Sequence, residues 1–162
     1  MKKLAVFIFL AGSFVNLHAL NVVNFTAEGG TGRFDFGRFE VKNVSFENNV
    51  LVMPLERDEY KNIALLTRDF YNKLTACFDK CAPSPAGEIK FEIAAVRDTG
   101  KIFLATVNFD GEIGVTFLVS TDKNGTLRVR RPSDFIFTDK KFESAVKDKI
   151  REAVSESGKQ TK

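Results

Sequence analysis

Cys77 and Cys81 are the only cysteines in the chain, four residues apart, with Ala82-Pro83-Ser84-Pro85 directly after them. A thiol pair can do redox chemistry, supply half of a metal site, or cross-link. Redox motifs place two residues between their cysteines, not three. A structural metal site needs four ligands. Beyond residue 19 the chain offers no histidine and no third cysteine. Both cysteines continue the apolar stripe of a predicted helix, which argues for burial. The reading taken is a structural disulfide at the helix end. On a regular helix the two Cα atoms would stand about 6 Å apart, near the ceiling of about 7 Å. Cys81 must therefore swing in beyond the last regular turn. So small a loop contributes about 2 kcal/mol in the chain-entropy picture.

Other reactive groupings are weaker. With His18 inside the first 19 residues, the rest has no imidazole, which excludes Ser-His-Asp and Cys-His catalysis. Asp110, Glu112 and Asp122 fall near predicted hairpin ends, where Asp is favoured for the turn itself. No catalytic or calcium role is expected of them. Arg128, Arg130 and Arg131 cluster beside Lys123, and the first two share a strand face. They are the candidate partner-binding residues, fit to grip carboxylates or phosphate. Asn24, Asn43 and Asn124 each begin an N-x-[ST] triplet. Asn124 is the candidate glycosylation site, because it lies in a predicted exposed turn with Asp122 two residues before it. No catalytic residue, cofactor or metal is assigned, and an enzyme is not expected.

The first 19 residues, MKKLAVFIFLAGSFVNLHA, have two lysines, an apolar run and a small residue at Ala19. That is the layout of a secretory signal peptide. Its apolar run of about 12 residues falls short of the ~20 needed for a membrane span. The expected organisation is a signal peptide over 1–19, one domain over 20–155 and a disordered tail over 156–162. The expected location is periplasmic or secreted, in a bacterium, without stable membrane insertion after cleavage. Without Lys2 and Lys3 the chain holds 22 basic against 21 acidic residues, so nothing in its charge calls for nucleic acid. Three of the 17 phenylalanines leave with the leader and tryptophan is absent, which predicts a core built on phenylalanine.

The elements that must position these residues follow from periodicity. NVVNF is a short β-like arm and EGGTG (28–32) a loop. Residues 33–53 alternate, with phase slips near Gly37 and Asn43, and turn at Glu47-Asn48-Asn49. That is a long bent hairpin with bulges. Residues 56–79 carry helical spacing, with Glu56, Asp58 and Glu59 favouring the start and Pro83 forbidding continuation. A four-stranded meander follows over 88–96, 101–109, 112–120 and 126–131, with turns at Asp98-Thr99-Gly100, Asp110-Gly111 and 121–125. A helix over 138–154, capped by Thr138, ends the domain. No internal repeat is visible. The fold class is α+β: an antiparallel sheet, made of the bent hairpin and the meander, packed on one face by a central and a C-terminal helix.

The stretch GVTFLVSTDKNGTLRVRRPSDFIFTDKKFESAVKDKIREA (114–153) reads as strand, D-x-x-G turn, strand, then a helix opened by an aromatic residue and closed by basic ones. It resembles the C-terminal domains of TonB and TolA. The helix containing Tyr60 and Ile63 would match the one before their sheet. The resemblance implies contact with an envelope protein through a sheet edge. The functional expectation is an exported, non-catalytic binding or adaptor protein contacting another cell-envelope protein. The alternative is a periplasmic carrier of a hydrophobic small molecule or lipid.

Overall fold

Local turn chemistry lays down the hairpins of the computed structural model, which describes residues 20–54 and 62–160. Asn48 and Asn49 both take positive φ (51° and 62°), as do Asp110 and Gly111 (49° and 69°). Two consecutive left-handed residues make the tight turn whose twist suits flanking antiparallel strands. These turns join β3 (Phe39–Glu47) to β4 (Val50–Val52), and β7 (Phe103–Phe109) to β8 (Ile113–Thr121). The expected EGGTG loop is shorter than its composition implied. Gly29 and Gly30 alone turn, at φ 57° and 80°, between β1 (Asn24–Glu28) and β2 (Thr31–Asp35). Gly32 belongs to β2; a Cβ there would stand 2.8 Å from ring atoms of Phe25 and Phe78. The phase slip at Asn43 is a β-bulge. Gly32 faces Val44 but Phe34 faces Val41, so Lys42 and Asn43 together oppose Arg33, with Asn43 at φ 56°.

The fold is α+β and antiparallel, as expected, but its strands divide between two five-stranded sheets. The first runs β1-β2-β3. On the far side of β3 lie β4 and β10 (Phe135–Phe137), a strand the sequence reading did not anticipate. The second runs β6 (Phe91–Asp98), β7, β8. On the far side of β8 lie β9 (Leu127–Arg130) and β5 (Ile63–Leu65). Each sheet thus borrows its fifth strand from the other half of the chain.

The exchange exposes an internal repeat that the sequence reading missed. Each half is a four-stranded meander, a three-residue strand and a helix: β1–β5 with α1 (Arg68–Lys80), then β6–β10 with α2 (Lys140–Gln160). β5 pairs with the opening residues of β8 (Ile63 opposite Val115, Leu65 opposite Ile113). In the same register β10 pairs with the opening of β3 (Phe135 opposite Val41, Phe137 opposite Phe39). The bonds that follow are equivalent too: Leu66 N to Glu112 O at 2.9 Å and Thr138 N to Arg38 O at 3.0 Å. So are those that precede: Thr116 N to Asn62 O and Lys42 N to Asp134 O, both 2.9 Å. From strand to helix the halves stay in step, Ile63 with Phe135, Thr67 with Asp139, Phe70 with Phe142.

Each helix packs mainly on its own half's sheet. In α1, Phe78 meets Phe25 and Phe46 at 5.0 Å, Phe70 meets Phe36 at 5.9 Å, and the Tyr71 hydroxyl accepts from Leu51 N at 3.0 Å. In α2, Phe142 meets Phe91 at 5.5 Å and Arg151 Nε donates to Leu127 O. The sheets join through Phe39, Phe109 and Phe135, whose ring centroids stand 4.8–5.5 Å apart and whose side chains are fully buried. The interior is therefore filled by the chain's own rings.

Several boundaries move. The central helix starts at Arg68, not near 56, because Thr67 caps it by accepting from Phe70 N at 3.2 Å. Ile63, read as helical, lies in β5: its place opposite Val115 outweighs its helical spacing. Glu56, Asp58, Glu59 and Tyr60 lie outside the described residues, as do the leader 1–19 and residues 161–162. The cap of α2 is Asp139 rather than Thr138; its Oδ1 accepts from Lys141 N at 2.9 Å and Phe142 N at 3.1 Å. Thr138 instead donates to Gly37 O at 3.1 Å. Where the tail was expected to lose order at 156, α2 runs on to Gln160.

Candidate partner-binding face

The β8–β9 hairpin positions the predicted arginines. Its turn is organised by Asp122, whose Oδ1 accepts from Asn124 N and Thr126 N, both at 2.9 Å. Asp122 Oδ2 accepts from Arg128 Nε at 3.2 Å. The backbone N–H of Thr126, with those of Asn124 and the Arg128 guanidinium, holds the Asp122 carboxyl below its ordinary range. Asp139 is lowered likewise, first by Phe142 N–H, then by Lys141 N–H and Arg38. A carboxylate depressed in the folded state lends stability that is complete above its unfolded pKa of about 3.9 and is lost as pH falls through the lower folded value. Thermal stability should therefore fall below about pH 4. Asp122→Asn should be less stable than wild type at pH 7 and show a shallower acid loss. Parallel melts at pH 7 and pH 3 check this; equal acid slopes in the two proteins would refute it.

Arg128 and Arg130 are exposed, while Leu127 and Val129 between them are half-buried. The two arginines thus share the outward face, as their spacing predicted. Arg131 does not join them. Its Nη1 donates to the backbone carbonyls of Pro132 (3.1 Å), Ser133 (3.3 Å) and Phe135 (2.6 Å). It braces the β9–β10 connection because those carbonyls have left the ladder of β9 and converge on one donor fork.

Cross-strand register adds an arginine that sequence reasoning missed. Arg97 on β6 faces Leu104, Leu104 faces Leu118, and Leu118 faces Arg130. Directly paired residues project to the same side, so Arg97 and Arg130 bracket two leucines across four strands, about 14 Å at the usual inter-strand spacing. Beside this row, Ala95, Thr106 and Thr116 are also in register, with the two threonine hydroxyls 3.1 Å apart. Ser120, Thr121, Asp122, Lys123, Asn124, Arg128 and Arg130 line an open concavity of about 490 Å³ at the end of the face. The signal for Arg97 was the alternation within β6. Its relation to Arg130 needed the registers of three strand pairs, one of them bulged at Ile93/Ala95.

The remaining predicted residues scatter. Asn124 is exposed at the turn, the position a modifying enzyme needs. Asp110 and Glu112 lie at the opposite end of β8 from Asp122, so the three carboxylates form no common site. The Cys77 and Cys81 sulfurs stand at disulfide distance. Cys81 caps α1 in extended conformation (φ −78°, ψ 131°), the departure from helix that the pairing required. Among the described residues no group of three or more His, Cys, Asp or Glu is placed to hold a metal. No described helix is long and apolar enough to cross a membrane.

The long open sheet edges are β1 and β6. β6 carries a bulge and outward Glu92 and Arg97, devices that resist strand addition. β1 pairs regularly with β2 over its whole length.

The class defined by these features is an antiparallel α+β protein of two sheets that exchange their fifth strands. Comparison with protein-family models, with curated proteins and with solved structures finds no match.

Proposed function

We propose that the chain is an exported, non-catalytic binding protein that docks an acidic surface of another cell-envelope protein on the outer face of its second sheet. The observation that carries this is the row Arg97–Leu104–Leu118–Arg130, with Arg128 and Lys123 beside it. Leu104 is buried and Leu118 half-buried, so what the row offers a partner is the exposed guanidinium groups at its two ends, which suit carboxylates. Export is supported by the leader pattern and by the paired cysteines, which persist in oxidising compartments. The resemblance to TonB and TolA domains would place contact at a sheet edge, where β1 is the regular strand. The cations favour the face instead, since none of them lies on β1. Filling of the interior by Phe39, Phe109, Phe117 and Phe135 speaks against a carried hydrophobic ligand.

Crosslinking in envelope extracts tests the proposal. Wild type should capture a partner in stoichiometric amount, and the capture should weaken with added salt. Arg128→Glu/Arg130→Glu should bind at least about tenfold less, as loss of two charge-assisted contacts at a rim requires. Undiminished capture by the double variant, or a wild-type protein that runs only as a free monomer, would sink the reading.

A further inference from the structure

Leu20, the first described residue, is 1% exposed. Its backbone nitrogen lies 2.6 Å from Glu112 Oε2, and its carbonyl accepts from Lys73 Nζ on α1. A carboxylate and a lysine thus hold one residue at the junction where the first half of the chain meets β8.

The internal repeat shows what this junction lacks. Glu112 is the residue before β8, as Arg38 is the residue before β3. At the Arg38 junction the charge is answered: its Nη1 stands 3.7 Å from Oδ2 of Asp139, the cap of α2. At the Glu112 junction the equivalent cap is Thr67, which carries no charge. Glu112 is partly buried, which raises its pKa; Asp110 raises it further, while the Leu20 N–H and Lys73 lower it. Among the described residues, Lys73 is the cation that lowers the pKa of Glu112.

The leader-like segment ends at Ala19. Cleavage after Ala19 by hydrolysis turns the Leu20 amide nitrogen, with one N–H and no charge, into an α-ammonium with three N–H donors. We propose that the mature chain begins at Leu20 and that its α-ammonium forms an ion pair with Glu112, so that removal of the leader completes this junction of the fold. The inference rests on the export reading, not on partner binding. Processing then acts on stability as well as on release, since an ammonium against a partly buried carboxylate replaces a neutral donor.

Three forms of the mature chain decide it: one starting at a free Leu20, one with Leu20 acetylated, and one extended by Ala19. Each is made in wild type and in Glu112→Gln. Free Leu20 should melt about 4 °C above the other two in wild type. In Glu112→Gln that advantage should vanish. The α-amino group of the free wild-type form should also titrate above its usual value of about 8, which decides the matter even if the Glu112→Gln variant proves unstable. An α-amino pKa at or below that value, an equal melting advantage in both backgrounds, or a processed protein that starts at another residue would overturn the proposal.

Discussion

Residues 20–84 and 85–162, produced as separate chains, are expected to show no cooperative thermal transition alone and to regain one when mixed. The reason is the strand exchange. The first fragment keeps its meander but loses β10 from the opening of β3, and its own β5 loses β8. The second loses the reciprocal contacts. Phe39 is separated from Phe109 and Phe135, so the rings that close the core are divided between fragments. Halves of this length bury only about 60% of their unfolded surface even when well packed. Mixing restores both borrowed strands, and far-UV circular dichroism with a melt of the mixture reads the recovery. A cooperative transition in either fragment alone would show that the halves are independent domains and that the exchange is incidental.

Phe39→Ala is expected to cost about 3–5 kcal/mol, the range for truncating a fully buried phenylalanine. That is a large share of the ~5–15 kcal/mol available to a domain. Phe39 touches Phe36, Phe109 and Phe135 at centroid distances of 5.1, 5.0 and 4.8 Å, linking both sheets. Collapse into the hole is opposed because its lining comes from strands already fixed by register. Phe46, half-buried near the end of β3 with Phe78 as its ring neighbour among the described residues, is the control and should lose clearly less on truncation. Urea unfolding at unchanged slope measures both. Similar midpoint shifts for the two variants would mean that the junction of the sheets is not the centre of the core.

The apolar side chains and turn residues made much of the fold readable. Asn48-Asn49 and Asp110-Gly111 announced tight hairpins because few residues tolerate positive φ. The phase slip at Asn43 announced a bulge, since a period of two cannot absorb an extra residue silently. The meander, the phenylalanine core and the burial of Cys77 followed from alternation and helical spacing. Helix starts were less legible. Asp139 and Thr138 are equally good caps in sequence, and only the pull of Gly37 O on the Thr138 hydroxyl separates them.

The candidate site was half legible. Arg128 and Arg130 share a face by spacing alone, as their exposure bears out. Arg131 looks the same in sequence, yet its guanidinium turns to the carbonyls of Pro132, Ser133 and Phe135. Arg97 joins Arg130 only through cross-strand register, which spans residues far apart in the chain.

Sequence by itself determined where the chain turns and which face of each long element is buried, because those depend on backbone preference and side-chain polarity within a few residues. Tertiary structure alone decided that the strands form two sheets, that each borrows a strand from the other, and that Leu20 meets Glu112. Three-residue strands such as Ile63–Leu65 and Phe135–Phe137 have no period long enough to declare a partner. Their pairing is settled by which distant edge offers open hydrogen bonds and an apolar surface to cover.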